Sequence, residues 1–121
     1  MPQFTLPLPP TSNHGYATAV RYRAGRPYSR TFKTPELSAW EQIVALEVRY
    51  WEPPEQTPLQ ANIDLYLPKR LHRKADVDGF VKFILDSVVG KRSDHYVDKL
   101  RVNKYLTTDL AGWAEVIVEV I

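Results

Sequence analysis

No cysteine occurs anywhere in the 121 residues, which excludes disulfides and every thiolate metal site. That fits a reducing compartment, and cytoplasmic placement is expected. The opening Met-Pro-Gln-Phe-Thr has no basic stretch leading into an apolar run, so no signal peptide is expected. No apolar run approaches the length of a membrane span, and no membrane partner is expected. His14, His72 and His95 are dispersed, without the spacing of a zinc site. A Gly-rich phosphate loop and a nucleophile elbow are both missing, so a serine or cysteine hydrolase is not supported.

Acidic residues are also missing from one end. Residues 1–35 hold Arg21, Arg23, Arg26, Arg30 and Lys33 and no carboxylate; Glu36 is the first. The net charge is only +2, so the distribution is more informative than the sum. A basic arm followed by an acidic remainder suits a protein that grips phosphates with one part and holds a metal with another. A solvated basic hairpin on an ordinary protein would look the same.

The chain fits one small domain with one core. Phe4, Leu6 and Leu8 alternate with polar and proline positions, as a short edge strand does. Residues 16–32 read as a hairpin turning at Ala24-Gly25-Arg26-Pro27. Its rings, Tyr16, Tyr22, Tyr28 and Phe32, interleave with arginines, a pattern shared by nucleic-acid surfaces and by hairpins with one packed face. Thr34-Pro35-Glu36 opens a helix: an N-cap threonine, a proline at the first helical position, an acid in the first turn. Leu37, Trp40, Val44, Val48 and Trp51, with Ile43 alongside, form its core-facing stripe.

Leu59, Ala61, Ile63, Leu65 and Leu67 alternate strictly with polar residues, which marks a half-buried strand. Lys69 to Lys74 reads as a basic connector. A second helix follows Asp78, with Phe80, Val81, Ile84, Leu85 and Val88 apolar and Gly90 as its C-cap. Lys91 to His95 reads as a polar loop. Val97–Leu106 and Trp113–Ile121 read as an antiparallel pair. The expected fold is α+β: a mixed sheet with a β-hairpin and two main helices, in the order β-ββ-α-β-α-β-β.

The chemistry concentrates where the connector meets the second helix. Asp76 and Asp78 stand two apart at a helix start, Lys82 four residues on, and Asp86 four beyond that. Two carboxylates at one point suit a hard cation such as Mg²⁺, which takes oxygen ligands and keeps several waters. A third carboxylate should come from elsewhere: Asp98 first, Asp94 as its substitute. Asp86 lies about 12 Å along the helix from Asp78, too far for the same ion. Lys82 reads either as an i, i+4 ion-pair partner or as a phosphate contact. An EF-hand does not fit, because its sixth-position glycine falls at the fourth and its twelfth-position glutamate is Ser87.

Arg73, Asp76, Asp78, Lys82 and Asp86, together with the opening Leu6-Pro7-Leu8-Pro9-Pro10-Thr11-Ser12-Asn13, resemble the signature of the RusA-type Holliday junction resolvases. The likeness covers nearly the whole chain. Two positions depart from it: Gly79 stands where the family usually has asparagine, and Asp98 stands alone where it usually has a pair of aspartates. The resemblance implies Mg²⁺-dependent phosphodiester hydrolysis at a four-way DNA junction by a homodimer, with Mn²⁺ as an alternative ion. Asp76, Asp78 and Asp98 would hold the metal and Lys82 would serve the phosphate. Asn13, His14, Arg21, Arg23, Lys69, Arg70, Arg73 and Lys74 would contact DNA. The departures motivate an alternative, a junction-binding protein of the same fold with impaired catalysis.

Overall fold

A computed structural model describes residues 2–11, 15–73, 77–90 and 93–121. The central strand is the one with the strictest alternation, β4 (Leu59–Pro68), counted after β1 (Gln3–Leu6), β2 (Tyr16–Arg23) and β3 (Arg26–Lys33). Ala61, Ile63, Leu65 and Leu67 are fully buried while Gln60, Asn62, Asp64 and Tyr66 are half-exposed, so one face of the sheet is covered and the other open. The covering layer is α1 (Pro35–Glu47) and α3 (Val77–Val88), which meet each other over the sheet. Between β4 and α3 lies α2 (Lys69–His72), a single turn formed from the basic connector.

The sheet runs β1–β6–β4–β5, where β5 is Val97–Thr107 and β6 is Trp113–Val120. β6 is antiparallel to β1 and β4, and β5 is parallel to β4. This corrects the expected antiparallel pairing of the last two strands: β4 lies between them. Alternation reveals which face of a strand is buried, not which strand is its neighbour. The connection must therefore cross the end of β4, and Gly112 is where it crosses. Gly112 has φ +69, and a Cβ there would collide with the Tyr66 carbonyl oxygen and come within 2.8 Å of Leu8. Asp109 holds the turn by accepting from the amides of Ala111 (2.8 Å) and Gly112 (2.9 Å).

Both main helices start and stop for local reasons. Thr34 caps α1 by accepting from the Leu37 amide at 3.3 Å, and Trp40 on its buried face donates to the Pro7 carbonyl at 2.8 Å. Ile43, expected beside the core stripe, is exposed, because α1 rests only one side on the sheet. In α3 the buried set is Phe80, Val81, Phe83, Ile84 and Val88. Gly90 ends the helix at φ +90, donating to the Leu85 carbonyl at 3.1 Å. The polar loop beyond it contains a short 3₁₀ turn, Asp94–Tyr96.

The hairpin is a separate two-stranded sheet. Its reversal is tighter than expected: only Ala24 (φ 52) and Gly25 (φ 76) form the loop, and Arg26 and Pro27 already pair in β3. Two positive-φ residues give the twist that joins antiparallel strands. Every residue of β3 is exposed, while Ala17 and Ala19 near the base of β2 are half-buried. Gly15 anchors its base. Its carbonyl accepts from the Thr34 amide at 2.9 Å, and a Cβ on it would stand 2.5 Å from the Phe83 ring.

Candidate nuclease site and nucleic-acid interface

Burial of one side of α3 fixes what the other side presents. With Phe80, Phe83 and Ile84 against the sheet, Asp78 in the first turn and Lys82 one turn later are exposed. The helix N-terminus favours the Asp78 carboxylate through its aligned peptide dipoles. Asp76, Lys74, Asn13 and His14 lie outside the described residues.

Immediately upstream, α2 folds the basic connector over the C-terminal end of β4. Lys69, Arg70, His72 and Arg73 line a pocket of about 570 Å³ whose apolar wall is Leu106. Two bonds hold this turn: Lys104 Nζ of β5 donates to the His72 carbonyl at 2.9 Å, and Arg70 Nη2 donates to the Leu110 carbonyl, in the connection between β5 and β6, at 3.2 Å. The cationic wall therefore ends at Arg73, five residues before Asp78. Sequence reasoning missed Lys104. Its signal was a charge on the strand position that shares a face with Val102 and Leu106, where an apolar residue is expected.

Arg21 and Arg23 are exposed on β2 among exposed Val20, Tyr22, Tyr28 and Phe32. At the tip, Arg23, Ala24, Arg26, Pro27 and Tyr28 surround a second recess of about 430 Å³. Cations and rings are thus exposed together over the outer part of the hairpin.

The remaining carboxylates fall elsewhere. Asp94 follows the C-terminal end of α3, its amide donating to the Gly90 carbonyl at 3.0 Å. From Asp78 to Val88 the helix rises about 15 Å. Asp98 sits at the start of β5, where the register moves from Leu59↔Val97 to Gln60↔Lys99 and leaves it unpaired at an irregularity. Such bulges re-aim a side chain. The structure therefore places Asp78 and Lys82 on the first two turns of α3, and Asp94 and Asp98 beyond its opposite end. Among the described residues no three His, Cys, Asp or Glu side chains come together. The donors at Asp78 are hard oxygens open to solvent, which fits the ligand chemistry of Mg²⁺ or Mn²⁺ and leaves positions for water and phosphate oxygens.

On the open face of the sheet, Tyr105, Tyr66 and Trp113 form a row, with ring centroids 5.1 and 4.6 Å apart. The Tyr66 hydroxyl has its pKa raised above 10.0, first by loss of solvent, then by the Glu115 and Asp64 carboxylates.

The family model described as Endodeoxyribonuclease RusA matches residues 7–120, nearly the whole chain. The chain belongs to the RusA endodeoxyribonuclease family, the Holliday junction resolvases of DNA recombination and repair. Among curated proteins none matches it. No helix among the described residues is long and apolar enough to cross a membrane.

Proposed function

We propose that this chain hydrolyses phosphodiesters of four-way DNA junctions with a hard divalent cation, Mg²⁺ or Mn²⁺, held at Asp76 and Asp78. What supports this reading is a cationic pocket lined by Lys69, Arg70 and Arg73 that ends five residues in sequence before the exposed Asp78 in the first turn of α3. Lys69, Arg70 and Arg73 bind the backbone phosphates and fix the register of the DNA on the protein. Lys82, one helical turn from Asp78, meets the phosphate being attacked and stabilises charge that develops on it. When bound, the ion supplies a more acidic water and a polarised phosphate. The hairpin arm, with Arg21 and Arg23, reaches DNA away from the cut. Asn13, His14 and Lys74 complete the proposed contacts.

Asp98, with Asp94 as its substitute, enters as the third ligand through a second copy. Inside one chain about 15 Å of helix keeps both away from Asp78. A two-fold dimer also matches the approximate two-fold symmetry of a junction, one site for each of two opposed strands. The test is cleavage of a synthetic four-way junction with Mg²⁺ by the natural chain and by Asp78→Asn. Paired nicks made by the first and not the second support the reading. The alternative, a junction binder with impaired catalysis, is favoured by Gly79 in place of the usual asparagine. It predicts a shifted band in a retardation gel and no nicks with either ion.

A further inference from the structure

The cations of the hairpin are sorted by face. β2 and β3 pair without a register shift, so residues directly opposite share a face and successive rungs alternate between the two. One face carries Arg23 opposite Arg26, Arg21 opposite Tyr28, Ala19 opposite Arg30 and Ala17 opposite Phe32. Every arginine of residues 1–35 is on it. The other face carries Tyr22 opposite Pro27, Val20 opposite Ser29 and Thr18 opposite Thr31. Its one cation, Lys33 at the base, is taken up by Glu41 of α1 at 2.9 Å.

Nothing inside the chain balances the arginine face. Among the described residues no ion pair or side-chain hydrogen bond engages Arg21, Arg23, Arg26 or Arg30. All four are exposed, and residues 1–35 hold no carboxylate to offset them. Arg23 and Arg26 stand directly opposite, and like charges so placed destabilise a strand pair. At the root, the Thr34 amide and hydroxyl both donate to the Gly15 carbonyl, at 2.9 and 3.2 Å, which ties the arm to the start of α1.

We propose that this face lies along the phosphate backbone of a duplex DNA arm, with Arg26 and Arg30 as binding residues beside Arg21 and Arg23, and that it supplies affinity without selecting for the branch point. The proposal rests on the nuclease reading for its choice of polyanion. Guanidinium forks take phosphate oxygens in pairs, and this face holds arginines and no lysine. From Arg30 to Arg26 the strand rises about 13 Å, which matches roughly four nucleotides of one DNA strand. Tyr28, among the arginines, offers a ring to the sugars between. Every duplex presents those groups, so the contact carries no information about a junction. The uncharged face, with exposed Val20 and Tyr22, is turned from the backbone.

Two charge-matched pairs of substitutions test the sidedness. Arg26→Gln with Arg30→Gln removes two positive charges from one face, and Val20→Glu with Thr31→Glu adds two negative charges to the other. All four positions are exposed, so circular dichroism and melting should not change in either variant. The first pair should weaken binding to a four-way junction and to a linear duplex by the same factor, at least about tenfold at about 0.1 M salt, and reduce the steepness of the salt slope by about 1.8. The second pair should cost less than about threefold and leave the slope in place, because screening weakens charges that do not touch phosphate. Equal losses from the two pairs mean that net charge alone acts, and overturn the proposal. So does a first pair that costs nothing, or one that weakens the junction and spares the duplex. A one-sided, same-factor loss in a chain that cuts no DNA upholds the arm and counts against the nuclease reading instead.

Discussion

Asp78 and Asp94 stand at opposite ends of one helix, the first in the opening turn of α3 and the second tied by its amide to Gly90 just past the last. A site that uses both must draw them from different chains. Asp78→Asn and Asp98→Asn are therefore each expected to abolish cleavage. Co-expression of the two should restore nicking at about a quarter of all sites, by statistical pairing, because each mixed dimer keeps one intact site. Asp94→Asn replaces Asp98→Asn in the same test. No recovery in either mixture would place the third ligand within the chain or remove it from the site.

Lys69, Arg70 and Arg73 line one pocket and act as phosphate-binding cations. Removing one such cation should make the slope of log affinity against log salt shallower by about 0.9. The double change Lys69→Ala, Arg73→Ala is expected to reduce its steepness by about 2, with the cleavage rate of bound junction little changed. An unaltered slope in a junction titration would remove both residues from the interface.

Chelation of divalent cations should stop cleavage and leave junction binding in place, because affinity resides in lysines and arginines rather than in the ion. Adding Mg²⁺ or Mn²⁺ should restore cutting. Cleavage that persists after exhaustive chelation would contradict the proposed role of Asp76 and Asp78.

Gly112 is needed for both its backbone and its missing side chain. Gly112→Ala is expected to cost more than about 2 kcal/mol, since it adds positive-φ strain to a collision with the Tyr66 carbonyl. Gly25, also at positive φ but with nothing within 4 Å of a Cβ, should cost less on the same change. Denaturant melts of the two variants compare them directly.

Tyr66 gives a pH dependence of known sign. Its hydroxyl keeps its proton beyond 10.0 in the folded chain, so the unfolded chain loses that proton first as pH rises. Stability should be insensitive to this group below about pH 10 and fall above it, until the folded hydroxyl ionises as well. Tyr66→Phe should show a shallower decline of melting temperature above about pH 10 than the natural chain. Parallel declines would mean that its neighbours do not hold the proton.

The residue pattern alone determined the parts that depend on local chemistry. Thr34-Pro35 starts α1 because a hydroxyl cap and a fixed φ act within one turn. The strict alternation from Leu59 to Leu67 marks β4 as half-buried because successive side chains point to opposite faces. The aspartate, lysine and aspartate spacing carried the family, since α3 keeps Asp78 and Lys82 exposed on the surface left by Phe80, Phe83 and Ile84. Which strand neighbours which was decided only in three dimensions, because hydrogen-bond partners distant in sequence leave no period behind. The separation of Asp94 and Asp98 from Asp78 was decided there too. It follows from β5 running parallel to β4, which obliges α3 and the segment after it to carry the chain back along the sheet before β5 can begin.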